Sequence, residues 1–132
     1  MRDKKVAIET NSAPSPVGPY NQAIRAGEWL YCSGQIALNP QTGELVGKNN
    51  IEDETFQVLQ NLESVLLAAG AQAANVVKTT IYLASLKDFE KVNNVYSKFF
   101  SGATTPARAC VEVSALPKGC NVEIDCVAWI NE

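Results

Sequence analysis

Two stretches of this sequence hold side chains that could do chemistry together. The first runs from residue 104 to 113. Read as a strand, it puts Arg108, Cys110 and Glu112 on one face and Ala109, Val111 and Val113 on the other. Pro106 stiffens the chain just before Arg108. A guanidinium held there can take a small carboxylate through two parallel hydrogen bonds; it can equally close a surface ion pair with Glu112. The second stretch is 121–125, where Glu123 and Asp125 share a face. A carboxylate beside a bound substrate can orient water and take its proton, work worth roughly 10²–10⁴-fold in rate. Two solvated acids on an edge strand would show the same spacing. The short connection between the stretches is expected to lay the Glu123 strand beside the Arg108 strand. Tyr20, at the end of a proline-rich loop, and Ser33-Gly34, at a strand bend, are further polar groups that also read as structural.

What is missing narrows the chemistry. The chain has no His, which removes the Ser-His-Asp and Cys-His arrangements and most catalytic zinc sites. Cys110 could serve as a nucleophile only if Arg108 or a Lys lowered its pKa, and Arg cannot accept its proton. Cys120, in the Lys118-Gly119 turn, reads as the more exposed thiol, oxidisable and not catalytic. The cysteines Cys32, Cys110, Cys120 and Cys126 form no C-x-x-C pair, so neither zinc nor a redox dithiol has local support. Gly43 and Gly47 lie in a polar loop without the Lys-Ser/Thr of a phosphate cradle. No metal and no cofactor are expected, so the work falls to carboxylates, Tyr, Cys, Lys, Arg, backbone groups and water.

The elements that must position these residues follow from patterning. Residues 6–10 read as a strand, then three of the six prolines cluster at 14, 16 and 19 and impose a shaped loop. Residues 21–26 and 29–38 read as a hairpin around Gly27-Glu28. Asn50 can cap a helix with Glu52, Asp53 and Glu54 in its first turn, the stripe Val58, Leu59, Leu62, Val65, Leu66 and Ala69, and a stop at Gly70. A strand over 76–84 follows, then Ser85 with Asp88 resembles a capping box for a second helix. Its stripe is Phe89, Val92, Tyr96, Phe99 and Phe100. Strands over 107–113 and 121–130 close the chain.

The order β-β-β-α-β-α-β-β predicts an α+β domain, a mixed sheet with two helices on one face. The last strand is apolar on both sides, with Val127 and Trp129 opposite the run from Val122 to Ile130. A two-layer protein then asks for a second copy to cover its open face. With 132 residues, 46% of them hydrophobic, the chain is one globular domain, 1–132. Its net charge of −3 argues against nucleic acid as a partner. No secretory leader or membrane span is read from the sequence, so the expected setting is the cytoplasm.

The residues singled out also carry a resemblance. Residues 106–113, Leu116-Pro117-Lys118 and Val122-Glu123-Ile124 resemble the signature of the RidA/YjgF family, the reactive-intermediate imine/enamine deaminases. Val17-Gly18-Pro19-Tyr20, Ser33-Gly34-Gln35, Asn61-Leu62, Ala68-Ala69-Gly70 and Val77-Lys78-Thr79-Thr80 extend it along the chain. The resemblance implies a chorismate-mutase-like fold and a homotrimer with three sites in the clefts between subunits. It implies that Arg108 binds the substrate carboxylate, Glu123 handles water and Tyr20 contributes from its loop. Ser33, Gly34, Asn93 and Cys110, the last mainly through its backbone, would line the pocket. The implied reaction is the cofactor-free hydrolysis of 2-aminoacrylate and 2-aminocrotonate, as their 2-imino tautomers, to 2-oxo acids and ammonia. Some relatives are described as translation-inhibiting endoribonucleases, which the acidic balance and missing His fit poorly. A non-enzymatic small-carboxylate-binding protein or holdase is the other alternative.

Overall fold

The computed structural model describes residues 4–130. Its elements are β1 (Lys5–Ile8), β2 (Ala23–Ala26), β3 (Trp29–Gln35), α1 (Ile51–Ala68), β4 (Val76–Leu83), α2 (Phe89–Phe99), β5 (Ala107–Glu112) and β6 (Val122–Trp129). This is the expected order. Asn50 caps α1 as its side chain predicts: Oδ1 accepts from Glu52 N at 3.0 Å and Asp53 N at 3.1 Å. Gly27 turns the β2–β3 hairpin with φ +62°, a conformation that a Cβ disfavours.

The six strands form one sheet in the order β1-β2-β3-β6-β4-β5. All neighbours are antiparallel except β4 and β5. Helix α2 carries the chain from β4 to its parallel neighbour β5, which therefore takes the sheet edge. The other side of β4 is left for β6, which inserts between β3 and β4. The expectation that the Glu123 strand lies beside the Arg108 strand, on an edge, is thus corrected: β4 separates them, and β6 is central.

One face of the sheet packs on both helices. Val58, Leu59, Leu62, Val65 and Leu66 of α1 and Val92 and Tyr96 of α2 are buried against Leu30, Ile81, Leu83, Val122, Ile124 and Ala128. Each fully buried aliphatic side chain contributes about 1.5–3 kcal/mol, and truncating Leu62 to Ala would cost about 2–5 kcal/mol. Phe100, fully buried just past α2, closes the core against Tyr96 and Phe99. Among the described residues no helix covers the opposite face. There Trp29 (43% exposed), Tyr31 (51%), Val111 (43%) and Trp129 (40%) leave large apolar groups uncovered. Two-residue alternation puts Glu123, Asp125 and Val127 of β6 on this open face.

Three local expectations change. The strand predicted over 29–38 ends at Gln35, and its pairing with β6 shifts register between Cys32 and Gln35, at Ser33-Gly34. Ser85 accepts from Lys87 N and opens a 3₁₀ turn, Leu86–Asp88, that runs on into α2; the reciprocal half of a capping box is not formed. Cys120 is buried, 4% exposed, and is not a surface thiol.

Candidate active site

Arg108 projects from the second position of β5 toward α2. Its β4 neighbour in register is Thr79, which is fully buried, its hydroxyl 2.6 Å from Tyr96 Oη. The guanidinium lies over two rings of α2, 5.5 Å from the centre of Phe89 and 5.2 Å from that of Tyr96. Nη1 donates to Asn93 Oδ1 at 2.6 Å. Phe89, Asn93 and Tyr96 stand at i, i+4 and i+7, one face of a helix. That spacing is the signal that could have found Phe89 and Tyr96 as partners of the arginine, since the stripe alone reads them as core. Glu112 does not pair with Arg108: four strand positions separate their Cα atoms by about 13 Å. Glu112 Oε1 accepts from Leu86 N at 2.9 Å and ties the start of α2 to β5. The remaining guanidinium donors face outward, so a planar carboxylate can dock on them.

Cys110 follows Arg108 on the same face and is half-buried. Burial pushes its thiol up, and the nearby guanidinium pulls only partly the other way. A thiol so placed is not an activated nucleophile.

A second group of residues surrounds a cavity of about 460 Å³ lined by Tyr20, Ser33, Gly34, Lys118 and Glu123, with Pro14, Val17 and Leu38 among its apolar walls. The proline-rich loop is shaped by buried Gln22. Its Nε2 donates to Pro14 O at 2.8 Å and Thr10 O at 3.1 Å, while its Oε1 accepts from Thr10 N at 2.8 Å. Ser33 Oγ donates to Asn21 O at 2.6 Å and fastens the loop's end to the bulge in β3. Gly34 leaves room for the Glu123 carboxylate: a Cβ there would come within 2.9 Å of its Cδ and push the side chain aside. Tyr20 is half exposed at the mouth. Lys118 adopts φ +57°, unusual for a residue with a side chain, in the turn that lines the cavity.

Glu123 is partly buried here. Burial pushes its carboxyl above the ordinary glutamate range, and the Asp125 carboxylate adds to the push. Behind it, the start of β6 is clamped by buried Glu54 of α1, whose carboxylate accepts from Asn121 N (2.6 Å), Asn121 Nδ2 (2.9 Å) and Val122 N (3.2 Å). Cys120 beside this clamp is pushed up to about 11, by burial first and the Glu54 charge second.

The predicted site residues therefore fall into two groups. Arg108, Asn93 and Cys110 gather on the helix side of β5. Tyr20, Ser33, Gly34 and Glu123 gather at the cavity, with Glu123 on the open face. Within one chain the guanidinium and the carboxylate stand on opposite sides of the sheet and cannot meet across one small substrate.

A small α+β domain with two helices on one face of this six-stranded mixed sheet has the YjgF/L-PSP class of fold. Residues 10–130 match the family model described as Endoribonuclease L-PSP. A RutC family protein of Synechocystis is 55% identical over 121 residues, 92% of this chain and 93% of the relative. The mouse protein named 2-iminobutanoate/2-iminopropanoate deaminase is 46% identical over 121 residues, 92% of this chain and 88% of its own. The crystal structure of E. coli TdcF with bound serine superposes with a TM-score of 0.92 at 38% identity, covering 96% of this chain and 99% of that one. The chain belongs to the RidA/YjgF family, in which some members carry the names of imine deaminases. Among the described residues, no helix is long and apolar enough to cross a membrane.

Proposed function

We propose that this protein hydrolyses reactive 2-imino acids and their enamine tautomers, such as 2-aminoacrylate and 2-aminocrotonate, to 2-oxo acids and ammonia in the cytoplasm. We propose further that it works as a homotrimer with three sites between protomers, each joining the Arg108 group of one chain to the Glu123 cavity of the next. The observation that carries this reading is the pre-set guanidinium. Stacked on Phe89 and Tyr96 and tethered by Asn93, Arg108 offers its free donors from an edge strand to whatever docks there. The uncovered Trp29, Tyr31 and Trp129 supply apolar surface for a second copy. A relative with bound serine supports recognition of a small molecule bearing an amino-acid carboxylate, and the mouse relative's name supports the reaction.

Arg108 takes the substrate carboxylate in two hydrogen bonds, each worth about 1.5–3 kcal/mol, and so fixes the C=N carbon. Glu123 accepts a proton from water as the water oxygen bonds to that carbon, giving a carbinolamine. The proton passes to the nitrogen, directly or through Tyr20. The C–N bond then breaks as the hydroxyl proton passes through Glu123 to the departing nitrogen, so that the carbonyl forms and ammonia leaves. An imine carbon is already electrophilic, so positioning and charge complementarity do most of the work.

The test is a trapping assay. Threonine or serine dehydratase generates the imine in the presence of semicarbazide. A deaminase lowers the semicarbazone yield at catalytic concentration. A carboxylate-binding or holdase protein lowers it only in stoichiometric amount, and that result would overturn the reading. The description of the family model makes RNA cleavage the second reading; RNase activity of pure protein, lost in Arg108→Ala, would favour it.

A further inference from the structure

We infer that Asp125 is a positioning residue for the reaction, a second carboxylate that acts through Glu123 and sets the pH below which Glu123 ceases to accept a proton. The inference rests on the reading of Glu123 as the water-handling group. Glu123 and Asp125 are two residues apart on β6, on the same face, with Cα atoms about 7 Å apart. Tyr82 stands opposite Glu123 on β4 and reaches diagonally to Asp125, where Oη donates to Oδ2 at 3.0 Å. That bond fixes the Asp125 carboxylate toward β4, on the face it shares with Glu123. Asp is a poor strand former, and a second acid beside the first is unfavourable. A local rule broken twice at one place in a central strand, next to the cavity, marks function more than folding.

Among the described residues of one chain the groups facing Glu123 are few, and in the proposed assembly the neighbouring chain's Arg108 guanidinium joins them and opposes the upward push. From β4 comes the Tyr82 hydroxyl, and from β6 comes Asp125. On the β3 side Gly34 abuts the carboxylate without a titratable group. The loops add Tyr20 and Lys118 around the cavity, and Cys120 feels the Glu123 charge from the far side of the turn. Both helices pack on the other face of the sheet. Asp125 is the charge that most affects Glu123 after burial itself, and it also raises the Tyr82 hydroxyl. A neighbouring negative charge makes Glu123 hold its proton to higher pH and act as a stronger base once ionised.

The experiment is the pH dependence of kcat/KM for the assembled protein, with 2-iminopropanoate generated in place by an amino-acid oxidase. Asp125→Asn is expected to move the acid limb down by about half to one pH unit, and Asp125→Glu, which restores the charge, to return it most of the way. An unmoved limb in Asp125→Asn, with Glu123→Gln inactive, would overturn this inference and leave the role of Glu123 standing. Full turnover by Glu123→Gln would sink both. Should Asp125→Asn fail to assemble, the carbon-13 titration of the Glu123 side-chain carboxyl in the unsubstituted protein decides. A Glu123 curve that takes a second step as Asp125 ionises supports the inference, and a single step blind to Asp125 overturns it.

Discussion

Arg108 stands on the edge strand β5, exposed, held by two ring faces and one hydrogen bond. Glu123 stands two strands inward on β6, partly buried, against Gly34 and in the field of the Asp125 carboxylate. The cation is kept solvated and needs only orientation. The base is desolvated and crowded, which costs folding energy and raises its proton affinity. A protein that must grip an anion and activate water cannot build both groups in one environment, because the setting that tunes the carboxylate would be costly for the guanidinium. Opposite faces of one sheet meet both requirements.

The contrast breaks first at Arg108. Arg108→Lys keeps the charge and loses the fork, so kcat/KM for imine hydrolysis should fall by about 10²–10⁴-fold while the melting temperature stays near wild type. A variant within a few-fold of wild type would mean that the arginine is not a clamp.

Glu123→Gln should behave the other way in stability. Activity falls by roughly 10²–10³-fold. Because the folded-state pKa of Glu123 is raised, the native protein binds this proton more tightly than the unfolded chain does. The contribution of Glu123 to stability therefore declines as pH rises from the ordinary glutamate value through the raised one. Glu123→Gln should melt higher than wild type at pH 7, with the gain shrinking below the ordinary glutamate range. Thermal melts across pH check the sign; a lower melting temperature at pH 7 would contradict it.

The smallest effect is expected at Asn93. Asn93→Ala removes one partner of an exposed guanidinium that two rings still hold, so KM should rise about tenfold with kcat little changed. Steady-state kinetics separate the two, and a collapse of kcat would give Asn93 a role in the chemical step.

Local signals carried much of this account, and long-range pairing carried the rest. Asn50, the acidic first turn and the stripe from Val58 to Leu66 define α1 because capping and helical periodicity are written within a few residues. The alternation from Val122 to Ala128 likewise marks β6. What no local pattern encodes is where β6 inserts. Its place between β3 and β4 depends on the α2 crossover, and with it goes the separation of Arg108 from Glu123. Glu54 shows the same limit: in sequence it is one of three acids suited to a helix start, yet it alone turns inward to hold Asn121 and Val122. Cys120 reads as exposed from its Lys-Gly turn and is buried because that clamp draws the turn onto α1.

The central claim is that one chain's Arg108 works with another chain's Glu123. Co-expression of Arg108→Ala and Glu123→Gln chains, each inactive alone, tests it directly. If the site joins neighbouring chains, random mixing in a closed ring leaves about a quarter of the sites with both groups intact, and imine hydrolysis should return to about that fraction of wild type. Mixed assemblies that form but stay as inactive as either parent would contradict the account.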